Sequence, residues 1–143
     1  MPTPATVALL WDLDNVTAGV AKDAALADQI VSRCYGSSLL YAAGHRATYR
    51  SHQPRLAAHD IVLLSGGHRP QGADRRLLQQ GSVLARRGVR TFIVASNDRA
   101  FAALPAWCAV IVLTLTPNSV SAQLQRRAME VVTLDHPGSE EPA

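Results

Sequence analysis

Residues 7–16, VALLWDLDNV, join a continuous apolar run to two aspartates. The run from Val7 to Trp11 is typical of a central strand covered on both faces, because a strand with one solvent face would alternate apolar and polar residues. Asp12 and Asp14 follow this run directly, at the point where such a strand ends. The stretch therefore predicts a buried strand with carboxylates at its carboxyl end.

The rest of the chain alternates strand and helix in the same way. The predicted strands are Val7–Trp11, Ser38–Ala42, Ile61–Leu64, Arg90–Ala95, Ala109–Leu113 and Val131–Leu134. The predicted helices are Thr17–Arg33, 46–58, Ala73–Arg87, Asp98–Leu104 and Val120–Ala128. Alternating units of this length predict an α/β protein, a three-layer α/β/α sandwich with a mostly parallel central sheet.

The composition is that of one globular domain. Of the 143 residues, 48% are hydrophobic and 17% are charged, which excludes disorder for most of the chain. We expect one domain over residues 1–134, followed by a flexible tail over residues 135–143.

Several features predict a cytoplasmic protein without a membrane partner. The first residues lack the basic start and long apolar stretch of a signal peptide. The most apolar segment, residues 100–115, is too short to span a bilayer. Cys34 and Cys108 lie far apart in apolar surroundings, which is typical of reduced core cysteines.

Basic residues outnumber acidic ones. The chain carries 14 basic and 11 acidic residues, and three of the acids, Asp135, Glu140 and Glu141, lie in the tail. All the bases except Lys22 are arginine, which makes bidentate contacts with phosphate. This bias fits a nucleic-acid partner, and it equally fits a GC-rich genome, which favours arginine over lysine.

Four of the remaining acids fall near the predicted carboxyl ends of strands. Asp12 and Asp14 follow the first strand, Asp98 follows the fourth, and Asp74 lies in the first turn of the helix after the third. Binding sites of parallel α/β sheets form at these ends, where the strand order reverses. The four carboxylates are therefore expected at one edge of the sheet.

Asp74 is expected to point inward. Leu77, Leu78, Gly81 and Ala85 follow it at three, four, seven and eleven residues, which are the core-facing positions of the helix. A purely structural alternative is an aspartate favoured by the helix dipole. Asp98 has the same alternative, since it can cap the short helix that follows it.

Carboxylates that converge on one edge repel one another and raise each other's pKa. A divalent cation removes that penalty, and oxygen ligands without a cysteine or histidine pattern suit Mg²⁺ or Mn²⁺. Such an ion activates water and offsets phosphate charge. The acidic edge therefore predicts phosphoryl-transfer or phosphodiester chemistry.

Three motifs together resemble those of the NYN domain family, within the PIN-like nuclease superfamily. They are WDLDN at residues 11–15, GAD at 72–74 and ASNDRAF at 95–101. Members of that family typically show a D-x-x-N or WD-x-E-N element, an aspartate in a K-x-A-D or G-A-D context, and an S-G-D-x-D-F element. The motifs occur here in that order and span nearly the whole chain. The resemblance implies a PIN-like fold and a metal-dependent ribonuclease.

The resemblance also implies roles for individual residues. Three aspartates would hold the Mg²⁺ or Mn²⁺, and one asparagine would position a ligand or the metal-bound water. These catalytic residues are Asp12, Asp74, Asp98 and Asn15. Ser96 would orient Asp98 or contact phosphate, and Asp14 and Asn97 complete the supporting residues. The candidates for contacts with the RNA backbone are His68, Arg69, Arg75 and Arg99.

Three positions depart from the family pattern. Ala100 stands where the family often has a second aspartate, and Asn97 replaces the usual glycine. The lysine that often precedes the GAD motif is absent, and Gln71 stands there with Arg69 nearby. The loss of one carboxylate predicts a single metal position in place of two, or a slow or inactive enzyme.

Two other functions compete with the nuclease. Residues 12–16, DLDNV, also fit the first motif of haloacid-dehalogenase-like phosphatases, with Asp12 as nucleophile and Asp14 as acid and base. That family needs a late basic residue, usually lysine, and Lys22 comes too early. The other alternative is a PIN-like RNA-binding module that has lost activity, or a dimerising adaptor, and Ala100 argues for it.

Overall fold

A six-stranded, all-parallel sheet forms the centre of the protein in a computed structural model. The structure describes residues 6–19, 22–34, 39–45, 54, 56–57, 59–67 and 72–137. The strands are β1 (Val7–Asp12), β2 (Leu39–Gly44), β3 (Val62–Ser65), β4 (Thr91–Ala95), β5 (Ala109–Thr114) and β6 (Glu130–Thr133). Their order across the sheet is β3-β2-β1-β4-β5-β6. The predicted α/β class is confirmed, and every described strand pair is parallel.

Helices cover both faces of this sheet. The described helices are α1 (Asp23–Ser32), α2 (Gly72–Arg86) and α3 (Ala122–Arg127), with 3₁₀ turns at Arg99–Ala103 and Pro117–Ser119. Leu77 of α2 and Leu124 of α3 belong to the core on one face. Leu26 and Ile30 of α1 belong to the core on the other. This arrangement is the predicted three-layer sandwich.

β1 lies at the middle of the sheet, as its apolar run predicts. Ala8 and Leu10 pack into the core on the α2 face, whereas Leu9 and Trp11 pack into the core on the α1 face. All four side chains are completely buried. A strand that contributes to two cores at once has no position for a polar side chain before its last residue.

The first helix is shorter than predicted. It begins at Asp23 rather than Thr17, because the buried Asp23 carboxylate accepts hydrogen bonds from the Ala18 nitrogen and the Thr17 hydroxyl, both at 2.7 Å. These bonds hold Thr17 and Ala18 against the first residue of α1. The buried residues of α1 are Asp23, Leu26, Ala27 and Ile30.

Other predicted boundaries shift by a few residues. Most of the predicted helix at 46–58 lies outside the described residues; of those described, Pro54, Leu56 and Ala57 are helical. The segment after β4 forms a 3₁₀ turn rather than an α-helix. Contacts with the domain continue into the predicted tail, since the Asp135 backbone exchanges hydrogen bonds of 2.6 and 2.9 Å with the side-chain amide of Gln29.

The strand order creates a crevice at the carboxyl ends of β1 and β4. The chain leaves β1 towards β2 on one side, and it leaves β4 towards β5 on the other. Loops that diverge from adjacent strands leave an open space between them, and this is where doubly wound sheets bind ligands. No helix in the described parts of the chain has the length and apolar character needed to span a membrane.

Candidate active site

A small pocket of about 170 Å³ opens at this crevice. Its lining residues come from the loop after β1, the first turn of α2 and the loop after β4, and they are Asp12, Asp14, Asn15, Ala73, Asp74 and Asp98. The structure thus brings together all four residues predicted to be catalytic, with Asp14 beside them. The described lining contains four carboxylates and no basic side chain.

Asp12 ends β1 at the floor of the pocket and is 5% exposed. Its Oδ1 accepts a hydrogen bond of 3.2 Å from the Asp14 nitrogen. The pKa of the Asp12 carboxyl is raised to about 7, chiefly by burial and also by the charges of Asp14, Asp74 and Asp98, while the hydrogen bond from the Asp14 nitrogen opposes the rise. Asp12 is therefore largely protonated in mildly acidic solution when no cation is bound.

Asp74 points into the pocket from the first turn of α2, as the helical spacing predicts. It is 4% exposed, and its Oδ1 is buried without a hydrogen-bond partner. The pKa of Asp74 is raised to about 6, chiefly by burial and also by the adjacent Asp98 carboxyl, while the backbone and the charge of Arg75 oppose the rise. A buried carboxylate oxygen without a donor is costly, so this atom is a site where a cation would be stabilising.

Asp98 caps a 3₁₀ turn and also lines the pocket. Its Oδ1 accepts a hydrogen bond of 2.8 Å from the Ala100 nitrogen and caps the 3₁₀ turn, while the carboxyl also lines the pocket. The hydroxyl of Ser96 accepts a bond of 3.0 Å from the Asp98 nitrogen. Because Ser96 is completely buried, it orients Asp98 and does not face a phosphate in the pocket.

Asn97 connects the loop of Asp98 to three other segments, a role that the sequence did not predict. Its backbone nitrogen donates to Asn15 Oδ1 at 2.6 Å, and its side chain accepts from the Thr114 hydroxyl at 2.5 Å and donates to the Thr116 hydroxyl at 3.2 Å. Its carbonyl oxygen accepts from the Ser121 nitrogen at 3.0 Å. The oxygen of Asn15 is therefore already engaged in holding two loops of the pocket together.

Replacing Asn97 by glycine, the residue typical of the resembled family, should loosen these loops. The variant loses both side-chain hydrogen bonds and leaves the buried Thr114 hydroxyl without its acceptor, which costs about 1–3 kcal/mol of unfolding free energy. Thermal unfolding measures this loss, and Asn118→Gly, in the exposed 3₁₀ turn at Pro117–Ser119, is the matched control. Equal melting temperatures for the two variants would contradict the connecting role of Asn97.

The predicted RNA contacts divide into two groups. Arg75 and Arg99 are exposed near the pocket, whereas His68 and Arg69 lie outside the described residues. Arg75 also lines a neighbouring pocket of about 460 Å³, which Arg76 shares. The sequence identified Arg75 as a candidate for RNA contacts, but it did not identify the pocket that Arg75 shares with Arg76.

The acidic pocket suits a hard divalent cation in its chemistry. Oxygen is the ligand atom that Mg²⁺ and Mn²⁺ prefer, and the unpartnered Asp74 Oδ1 offers one directly. Among the described residues, no three acidic, histidine or cysteine side chains are grouped closely enough to hold an ion as they stand. An ion here would therefore be held by few protein oxygens, or after a side chain rotates, with water completing its shell as is usual for Mg²⁺.

Comparisons with known proteins add no assignment. No protein-family model matches the chain, and no curated protein sequence matches it. The resemblance of the three motifs to the NYN domain family therefore stays a prediction.

Proposed function

We propose that the protein is a metal-dependent ribonuclease and that the acidic pocket is its active site. The observation that supports this most strongly is the buried, unpartnered Oδ1 of Asp74 in a pocket with Asp12 and Asp98. Three carboxylates at the switch point of a parallel sheet are costly without a cation. Bound Mg²⁺ or Mn²⁺ would offset this cost, since the same carboxylates would hold the ion.

Each residue of the pocket has a distinct part in the proposed reaction. Asp12 and Asp74 would supply oxygen donors, and Asp98, in a loop fixed by Ser96 and Asn97, would supply a third once a side chain rotates. A bound Mg²⁺ or Mn²⁺ would polarise a water molecule and offset the negative charge of the phosphodiester. Arg75, exposed beside the pocket, is placed to attract the RNA backbone.

Three observations favour the nuclease over a phosphatase of the haloacid dehalogenase type. Asp14, the acid and base of that alternative, is engaged at the end of β2, where its Oδ2 accepts a 2.8 Å hydrogen bond from the His45 nitrogen. Asp74 has no part in the phosphatase chemistry, yet it carries the unpartnered buried oxygen. Lys22 lies exposed before α1 and is absent from the described pocket lining.

The proposal includes a cytoplasmic location and single-stranded RNA as the substrate. The two cysteines of the chain, Cys34 and Cys108, are both free thiols, which suits a reducing compartment. The net charge of +3 suits a polyanionic substrate.

Cleavage of end-labelled single-stranded RNA tests the proposal. We expect cleavage with Mn²⁺ or Mg²⁺, none with EDTA, and none by the Asp74→Asn variant, because the variant lacks the buried carboxylate. Asp60→Asn, an exposed aspartate outside the described pocket lining, is the matched control and should cleave like the wild type. RNA that is bound but never cut would instead support an inactive binding module, and cleavage by Asp74→Asn would contradict the assigned site.

A further inference from the structure

A second pocket, which we call the basic pocket, lies next to the acidic one. It has a volume of about 460 Å³, and its described lining residues are Ser65, Gly66, Gly67, Gly72, Arg75, Arg76 and Gln79. Two of these residues are arginines and none is acidic. Its lining therefore has the opposite charge to that of the acidic pocket.

The start of α2 forms the wall between the two pockets. Ala73 and Asp74 line the acidic pocket, whereas Gly72, Arg75 and Arg76 line the basic pocket. Asp74 and Arg75 are consecutive residues in the first turn of α2, and each of them lines a different pocket. A ligand with adjacent charged groups can therefore contact both pockets across a single helical turn.

Glycine allows the loop after β3 to approach this wall closely. A Cβ at Gly72 would overlap the carbonyl oxygen of Gly66, and a Cβ at Gly66 would lie 2.7 Å from the Ala73 nitrogen. Any side chain at either position would push the loop away from α2. The close approach keeps the glycine-lined side of the basic pocket beside the acidic pocket.

We propose that the basic pocket binds a backbone phosphate of single-stranded RNA adjacent to the phosphate that is cleaved at the acidic pocket. The part of this proposal that places one phosphate next to the cleaved phosphate rests on the proposed function. Arginine binds phosphate through paired N–H groups, and Arg75 and Arg76 present two guanidinium groups to one pocket. The acidic pocket repels phosphate unless a cation is bound, whereas the basic pocket attracts phosphate without one.

This difference allows the basic pocket to be tested without any metal. In EDTA, the affinity for a labelled RNA decamer should fall as the salt concentration rises. The slope of log affinity against log salt concentration should decrease in magnitude by about 0.7 for each phosphate contact removed. We expect Arg76→Gln and Arg75→Gln each to reduce the slope by about this amount. Arg86→Gln, in the last turn of α2 and outside the lining, is the matched control with the wild-type slope. Slopes unchanged in both variants would overturn the proposal.

Substrate length supplies a second readout, with Mn²⁺ present. A dinucleotide offers only the phosphate to be cleaved, while a trinucleotide offers an adjacent phosphate as well. The wild-type protein should cleave the trinucleotide with the higher kcat/KM, and Arg76→Gln should reduce this preference by about tenfold while Arg86→Gln keeps it. An equal preference in the two variants would contradict the phosphate contact even if cleavage itself is robust.

The two proposals fail in different ways. The phosphate site in the basic pocket is overturned, and the nuclease retained, by one result. In that result, cleavage depends on metal, but the salt slope and the length preference do not change when Arg75 or Arg76 is replaced. Arginine-dependent RNA binding without any metal-dependent cleavage overturns the nuclease, and with it the register between the two phosphates.

Discussion

The Asp12→Asn variant should be more stable than the wild type in the absence of metal and yet inactive. The carboxyl group of Asp12 is 5% exposed, and burial with three neighbouring carboxylates raises its pKa from 3.8 to about 7. At pH 8 the Asp12 carboxyl of the wild type is ionised although the folded state disfavours its charge. This lowers the free energy of unfolding by up to roughly 4 kcal/mol. Asparagine has a similar shape and no charge, so the variant avoids this cost.

Activity should change in the opposite direction. In the proposed nuclease, removal of a carboxylate from the proposed metal site should cost several kcal/mol of transition-state stabilisation, or on the order of a 10³-fold loss of kcat/KM on RNA. Addition of Mn²⁺ should raise the melting temperature of the wild type and leave that of Asp12→Asn nearly unchanged, because only a bound ligand stabilises the folded state.

Thermal unfolding at pH 8 in EDTA and in Mn²⁺, together with the cleavage assay, checks both parts of this expectation. We expect Asp12→Asn to melt on the order of 5 °C above the wild type in EDTA. Asp60→Asn controls for the loss of an exposed carboxylate, and it should match the wild type in all three measurements. A variant that melts below the wild type in EDTA would show that the Asp12 carboxylate contributes stability of its own.

Most of the fold could be predicted because the sheet has a simple residue pattern. A parallel strand buried on both faces is continuously apolar, and the run from Val7 to Trp11 has this pattern. The start of α1 could not be predicted in this way. It depends on one buried aspartate, Asp23, whose bonds to Thr17 and Ala18 form only in the folded chain.

The carboxylates of the site could be predicted for a related reason. Residues directly after parallel strands share one edge of the sheet, so the positions of Asp12 and Asp98 followed from the strand pattern alone. The helical spacing then placed Asp74 on the inward face of α2. The role of Asn97 could not be predicted, because its partners Thr114 and Thr116 lie after a different strand and become neighbours only through the strand order.

The acidic pocket is thus arranged at the expense of stability. Asp98 is held by a cap, and Asp12 by one backbone hydrogen bond, while the described residues provide no donor for Oδ1 of Asp74. Arg75 offsets part of the charge from outside the pocket. Buried carboxylates lower the stability of the folded protein when they are ionised without a partner. The stability of the metal-free protein should therefore depend strongly on pH.

The stability of the metal-free protein should fall as the pH rises from about 4 to about 8. The folded-state pKa values of Asp12 and Asp74, about 7 and about 6, both exceed the unfolded value of 3.8. Between these limits the folded protein binds more protons than the unfolded chain, so the free energy of unfolding decreases with pH. The stabilising contribution of the protonated Asp12 and Asp74 carboxyls is complete below about pH 4. This contribution is lost once the pH exceeds about 7.

Metal affinity should show the opposite trend, because both protons must leave before the carboxylates can bind an ion. With pKa values of about 7 and about 6, the affinity for Mn²⁺ should rise roughly 100-fold between pH 5.5 and pH 7.5 and then level off. Titration calorimetry at several pH values measures this rise, and Asp12→Asn should lose most of it. A constant affinity across the range would mean that Mn²⁺ binds without displacing these protons, and hence away from Asp12 and Asp74.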